Sequence, residues 1–148
     1  MGSVIYFAYG SNMDVEQLKE RIGNSFDILG PAVLKDYVLK FNKISVRRGG
    51  CANIEPAKGE EVWGILFKLN EEQIKKLDVY EGAPTHYRRV NVKVQTEKGE
   101  ELEAVTYVAC EEFKREGLRP SEDYLKHLLS AKEMLPESYI KKLKTYRK

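Results

Sequence analysis

Cysteine and histidine are scarce: this 148-residue chain has two of each. Cys51 and Cys110 stand far apart, with no Cys or His nearby at the short spacings that build a zinc site. Neither a metal nor an organic cofactor is therefore expected, and two buried free thiols are expected over a disulfide. His86 and His127 have no partners at a useful spacing. No Gly-x-Ser-x-Gly elbow surrounds Ser11, which sets aside a Ser11–His86 hydrolase. No apolar run approaches the ~20 residues that span a bilayer. No basic, apolar and small-residue leader opens the chain, so a cytoplasmic protein with no membrane partner is expected. An excess of one charge is missing too. The 25 basic and 23 acidic residues are interspersed and leave a net charge of +2, which argues against a nucleic-acid partner. The densest basic spots, Arg47-Arg48 and Lys141-Lys142, read as solvated surface. Repeats, low-complexity tracts and interdomain linkers are also lacking, so residues 1–148 read as one domain.

The chain is 42% hydrophobic and 32% charged, the balance of a globular protein with a sizeable core. Val4–Tyr9 is a strand-like run that breaks at Gly10-Ser11-Asn12. Asp14, with Gln17 three residues on, predicts a capping pair for a helix with Val15, Leu18 and Ile22 inward, stopped at Gly23-Asn24. Residues 26–34 and 37–45 read as strands around Gly30-Pro31, with a turn at 47–50. Cys51–Glu55 reads as a short strand stopped by Pro56. Val62–Leu69 is the clearest buried strand. Asn70 caps a helix over 71–80 with Ile74 and Leu77 inward. Tyr87–Thr96 and Glu101–Ala109 alternate about Lys98-Gly99 as a hairpin. Ser121 caps a helix reaching about Met134, and Pro136 opens the last one. About six strands with irregularly inserted helices indicate an α+β fold.

Two places invite chemistry. Small residues at Tyr9-Gly10-Ser11-Asn12, between a strand and a helix, expose consecutive backbone N–H groups where an anion is welcome. Read alone, the turn is better explained as an ordinary junction capped by Ser11 or Asn12. Glu81 ends a helix just before Gly82, where the macrodipole disfavours a carboxylate. In an apolar pocket its pKa would rise toward that of a general base; read alone it is better explained as a solvated surface residue. Tyr87 and Tyr107, on the hairpin, either present hydroxyls to a cleft or pack in the core. Asp78 reads as structural.

Taken together and in order, these stretches resemble the gamma-glutamylcyclotransferase-like family. The resemblance runs through Phe7-Ala8-Tyr9-Gly10-Ser11-Asn12-Met13, Gly50-Cys51-Ala52-Asn53-Ile54, Glu61–Leu69, Leu77-Asp78-Val79-Tyr80-Glu81-Gly82 and Tyr87-Arg88. The tail, with Pro120-Ser121, Tyr124-Leu125 and Leu135-Pro136-x-x-Tyr139, is similar to the longer gamma-glutamylcyclotransferase branch. The resemblance implies a small mixed β-barrel with helices packed outside. It implies Glu81 as catalytic acid/base, residues 9–12 as the substrate loop, and Tyr87 and Tyr107 as pocket walls. It further implies a small-molecule gamma-glutamyl substrate cyclised to 5-oxoproline without a cofactor, by a monomer or homodimer. The segment Ala83-Pro84-Thr85-His86 is short and borders the site, which leaves the leaving group open. The alternatives are a gamma-glutamylamine or gamma-glutamyl-protected natural product as substrate, or a silent binding module of the same fold.

Overall fold

The computed structural model describes residues 2–45 and 49–146; the turn expected around Arg47-Arg48 falls partly outside them. Five strands, β1 (Ser3–Ala8), β2 (Asp27–Lys43), β3 (Cys51–Asn70), β4 (Tyr87–Thr96) and β5 (Glu101–Ala109), close into a barrel. The order around it is β1-β3-β2-β4-β5. All neighbours are antiparallel except β1 and β5, which meet in parallel at Tyr6 and Val105 and close the barrel. The barrel is therefore mixed, as expected.

The expectation of about six strands is corrected to five. The two runs at 26–34 and 37–45 are one strand, and so are the two at 51–55 and 62–69. The breakers between them act as bulges instead of turns. Between the Lys35–Glu61 and Tyr37–Pro56 pairs, β3 advances five residues while β2 advances two. Asp36 sits there at φ 66°, and its carboxylate accepts from the Gly59 N–H at 3.0 Å. Pro56, which lacks an N–H, is tolerated at such an irregularity. Bulges like this bend long strands enough to close a small barrel.

Four helices pack outside: α1 (Val15–Ile22), α2 (Glu71–Glu81), α3 (Glu122–Leu129) and α4 (Glu137–Lys144). None is long and apolar enough to cross a membrane. Leu18, Leu77, Leu128 and Leu143, one from each, are completely buried in the same core as the barrel's Phe7, Leu66 and Phe67. Asn70 and Gln73 form a reciprocal capping box on α2. The pair expected at Asp14 and Gln17 is only half made. Asp14 accepts from the Glu16 and Gln17 N–H groups, while the Gln17 side chain turns elsewhere. The helix capped by Ser121 stops at Leu129, short of Met134.

One ionic cluster ties the barrel to the segment that follows it. Glu55 on β3 meets Lys114, Lys40 and the Asn42 amide, and these partners hold its carboxyl down to about 2 from an ordinary 4.5. A depressed carboxylate adds stability that is complete above its unfolded pKa and lost as pH falls toward the folded one. Glu55→Gln is therefore expected to lose stability most fully at neutrality, with its deficit against wild type shrinking as pH falls from 4.5 toward about 2. Thermal melts across that range test it; parallel curves for variant and wild type would rule it out.

Candidate active site

β1 ends at Ala8, and the chain turns through a single 3-10 turn, Ser11–Met13, before Asp14 opens α1. The turn closes through Met13 N–H to Gly10 C=O and Asp14 N–H to Ser11 C=O, each 3.0 Å. The amides of Ser11 and Asn12 precede those bonds, where a helical turn leaves N–H groups to other acceptors. Residue 10 must be small: a Cβ there would come within 3.1 Å of the Tyr124 hydroxyl and 3.2 Å of Ala52.

Across the cavity, α2 stops because Gly82 adopts the left-handed conformation, φ 67°, with its N–H returned to the last turn. Glu81 is the residue just before that stop, and it faces the 3-10 turn. Its Oε2 accepts from the Asn12 amide at 3.2 Å and lies 3.7 Å from the Arg21 guanidinium. The surroundings are thus polar and cationic, neither the apolar pocket nor the solvated surface weighed from the sequence. The same contacts explain how a carboxylate is tolerated at a helix C-terminus. Arg21 supplies the opposite charge that the macrodipole withholds.

Asn12 is held from both ends. Its Oδ1 accepts from Gln17 Nε2 at 3.1 Å and from Arg21 at 3.0 Å, and Gln17 also donates to the Ser11 hydroxyl at 2.9 Å. Two donors on the oxygen side orient the amide so that its NH₂ faces Glu81 and the Tyr6 hydroxyl, 3.0 Å away. Gln17 and Arg21 were not anticipated. Their i, i+4 spacing on the face of α1 toward the turn was the available signal.

All seven residues singled out in the sequence line one cavity: Tyr9, Gly10, Ser11, Asn12, Glu81, Tyr87 and Tyr107. Tyr6, Thr106 and Tyr124 join them. Three of the tyrosines spend their hydroxyl protons on the protein, so Tyr87 and Tyr107 follow the second of the two readings given for them more than the first. Tyr9 donates to the Tyr107 carbonyl, Tyr87 to the Ala52 carbonyl at 2.8 Å, and Tyr107 to Asp78 at 2.6 Å. Asp78 in turn holds Arg89. Tyr87 and Tyr107 therefore offer ring faces and lone pairs to the cavity, not protons. Tyr6 is different: its oxygen accepts from Asn12, and its proton is donated to no atom of the described residues. Burial, the largest cause in each case, holds the phenols of Tyr6, Tyr9, Tyr87 and Tyr107 well above the usual tyrosine value. None is a base at neutral pH, and Glu81 is the one carboxylate among the described residues that line the cavity.

Tyr107→Phe removes the O–H that steadies Asp78, one turn before Glu81, and keeps the ring. It is expected to reduce kcat/KM several-fold for about 1 kcal/mol of stability. Steady-state kinetics beside a thermal melt measure both. A large stability loss with unchanged kinetics would make Tyr107 purely a core residue.

The narrow inner cavity opens past Glu81 and Tyr87 into an outer chamber of about 340 Å³ whose wall includes Arg21, Lys43, Cys51, Tyr80 and His86. Both cysteines are free thiols; Cys51 is buried, but Cys110 is partly exposed, correcting the expectation for it. The histidines do have partners: His127 meets Asp14 at 2.7 Å, and His86 meets Lys43 at 3.2 Å. Among the described residues no three His, Cys, Asp or Glu side chains gather as a metal-ligand set.

Comparison with known proteins places this arrangement in a family. The AIG2-like family pattern matches residues 61–143. The gamma-glutamylcyclotransferase of Mus musculus is 36% identical over 95% of this chain and 77% of its own length. That of Homo sapiens is 35% identical over 96% of this chain and 78% of its own. A solved gamma-glutamyl cyclotransferase structure superposes with a TM-score of 0.88 at 36% identity, covering 97% of this chain and 87% of that one. The chain belongs to the AIG2-like, gamma-glutamylcyclotransferase family.

Proposed function

We propose that this protein is a cyclotransferase that releases 5-oxoproline and a free amine or amino acid from a gamma-glutamyl compound, with Glu81 as its acid/base. The observation that carries the reading is the Glu81 carboxylate fixed 3.2 Å from the Asn12 amide, in a cavity where burial keeps Tyr6, Tyr9, Tyr87 and Tyr107 protonated. It is supported by the relatives named gamma-glutamylcyclotransferase over most of the chain.

The chemistry needs little else. The substrate carries its own nucleophile, the α-amine. Folding it back on the γ-carbonyl makes the attack intramolecular, and such placement reaches effective molarities of about 10⁵–10⁸ M. Glu81 takes a proton from the α-ammonium, and the amine nitrogen bonds to the γ-carbon, closing a five-membered ring. The tetrahedral oxyanion is met by backbone N–H groups of the 9–12 loop and by the Tyr6 hydroxyl. Glu81 returns its proton to the departing nitrogen as the original C–N bond breaks, and the second proton of the ring nitrogen passes through Glu81 to the freed amine, which leaves as its ammonium. The rings of Tyr9, Tyr87 and Tyr107 hold the glutamyl carbons in the folded conformer.

In this reading residues 1–148 act as one domain, as a cytoplasmic monomer or homodimer on a small-molecule substrate, without a nucleic-acid or membrane partner. Mass spectrometry for 5-oxoproline after incubation with gamma-glutamyl amino acids and amines tests the activity. No 5-oxoproline from any member of the panel would reject it.

A further inference from the structure

The outer chamber contains a buried cation that the reaction just described does not use. Lys43 lies at the end of β2 and is only 8% exposed. Its ammonium donates to the Ile44 carbonyl at 3.0 Å and faces His86 Nδ1 at 3.2 Å. It also rests over the rings of Tyr87 and Phe113, at 5.3 and 5.6 Å from their centroids. These contacts are neutral. Among the described residues, no carboxylate pairs with Lys43. An ammonium has three donors, and two are used here. Desolvation lowers the pKa of Lys43, and the Lys43 charge helps to keep His86 neutral, so that its Nδ1 can accept. A buried charge with neutral neighbours is costly unless an opposite charge completes it.

Its position says which part of a substrate would do so. Glu81 and Tyr87 line both chambers, so in the cyclotransferase reading the scissile bond would lie at their junction, with the reacting carbonyl toward the 9–12 loop in the inner cavity. Lys43 lines only the outer chamber, on the side of the departing group. Arg21, the other cation there, is already engaged by Asn12 and Glu81.

Resting on the cyclotransferase reading, we propose that Lys43, backed by His86, determines leaving-group specificity by binding a carboxylate on the departing amine. The third ammonium N–H would make a charge-assisted bond to it, and the rings of Tyr87 and Phe113 shield that bond from water. Leaving groups without a carboxylate would leave the cation uncompensated.

The test compares three substrates on wild type, Lys43→Met and Lys43→Arg: gamma-glutamyl-alanine, gamma-glutamyl-β-alanine and gamma-glutamyl-ethylamine. The first two place a carboxylate at different distances; the third is the first without its carboxylate. Lys43→Met keeps the apolar stem and is expected to raise KM for a carboxylate-bearing substrate roughly 10- to 100-fold, the worth of a charged hydrogen bond. Its kcat should be unchanged, as should both constants for the ethylamine substrate, and Lys43→Arg should restore part of the affinity. An effect confined to gamma-glutamyl-alanine assigns the α-carboxylate, one confined to the β-alanine substrate assigns a more distant carboxylate, and either outcome supports the proposal. Equal losses on all three substrates would mean that Lys43 serves the glutamyl half or the fold; equal losses, or no change at all, overturn the inference alone. A wild type that forms no 5-oxoproline from any substrate overturns the cyclotransferase reading and this inference together.

Discussion

Glu81→Gln is expected to be folded, able to bind substrate, and nearly inactive. The amide keeps the shape of the side chain and can still accept from Asn12, but it cannot take the proton from an α-ammonium. General acid–base assistance is worth about 10²–10⁴-fold, so kcat should fall by at least that factor. The phenols of Tyr6, Tyr9, Tyr87 and Tyr107 cannot substitute, because burial keeps them protonated. Two stability effects oppose each other. Removing a carboxylate from a helix C-terminus gains roughly 0.3–1 kcal/mol. Losing the ion pair with Arg21, whose 3.7 Å separation is long, loses about 0–1 kcal/mol. The net change should stay within about 1 kcal/mol. Release of 5-oxoproline measures the rate, and calorimetric titration measures the binding. A variant that cyclises its best substrate at near wild-type rate would show that another residue is the base.

The second large effect is expected at Asn12, and it differs in kind. Its amide joins Glu81 and Tyr6 on one side to Gln17 and Arg21 on the other. Asn12→Ala deletes all four bonds and takes a buried acceptor away from Gln17 and Arg21. A buried polar group stripped of its partner costs about 1–3 kcal/mol, so a measurable loss of thermal stability should accompany the kinetic one. Glu81 keeps its proton chemistry but loses its bearing. Misplacement by an ångström can cost about 10²-fold in rate, and kcat should fall by about that much. The two variants therefore separate by their melts: Glu81→Gln is silent there and Asn12→Ala is not. An Asn12→Ala protein with wild-type kcat would show that the carboxylate needs no bearing from the loop.

What was legible in the sequence was whatever neighbouring residues decide among themselves. The Asn70–Gln73 box starts α2 and Gly82 ends it, because capping is settled within a turn of helix. The hairpin at 87–109 follows from its alternation and the Lys98-Gly99 turn. The loop at 9–12 follows from small residues after an apolar strand. Each was readable as a place, and the family resemblance made the places into one site.

Tertiary structure decided everything that depends on distance across the barrel. Gly30-Pro31 and Pro56 read locally as breaks, yet β2 and β3 run through them as bulges. A long strand paired along its length outweighs a local preference, and a closed barrel needs the bend. Asn12 and Glu81 are 69 residues apart, and nothing local brings them to 3.2 Å; the closure of β1 against β3 and β5, and the docking of α1 and α2 beside it, does so. The same closure turns Gln17 and Arg21 from helix-surface residues into braces for Asn12, and directs the protons of Tyr87 and Tyr107 onto protein acceptors. Nothing in the sequence set Lys43 apart. Only the packing of Tyr87, His86 and Phe113 around it made it a buried cation facing the outer chamber.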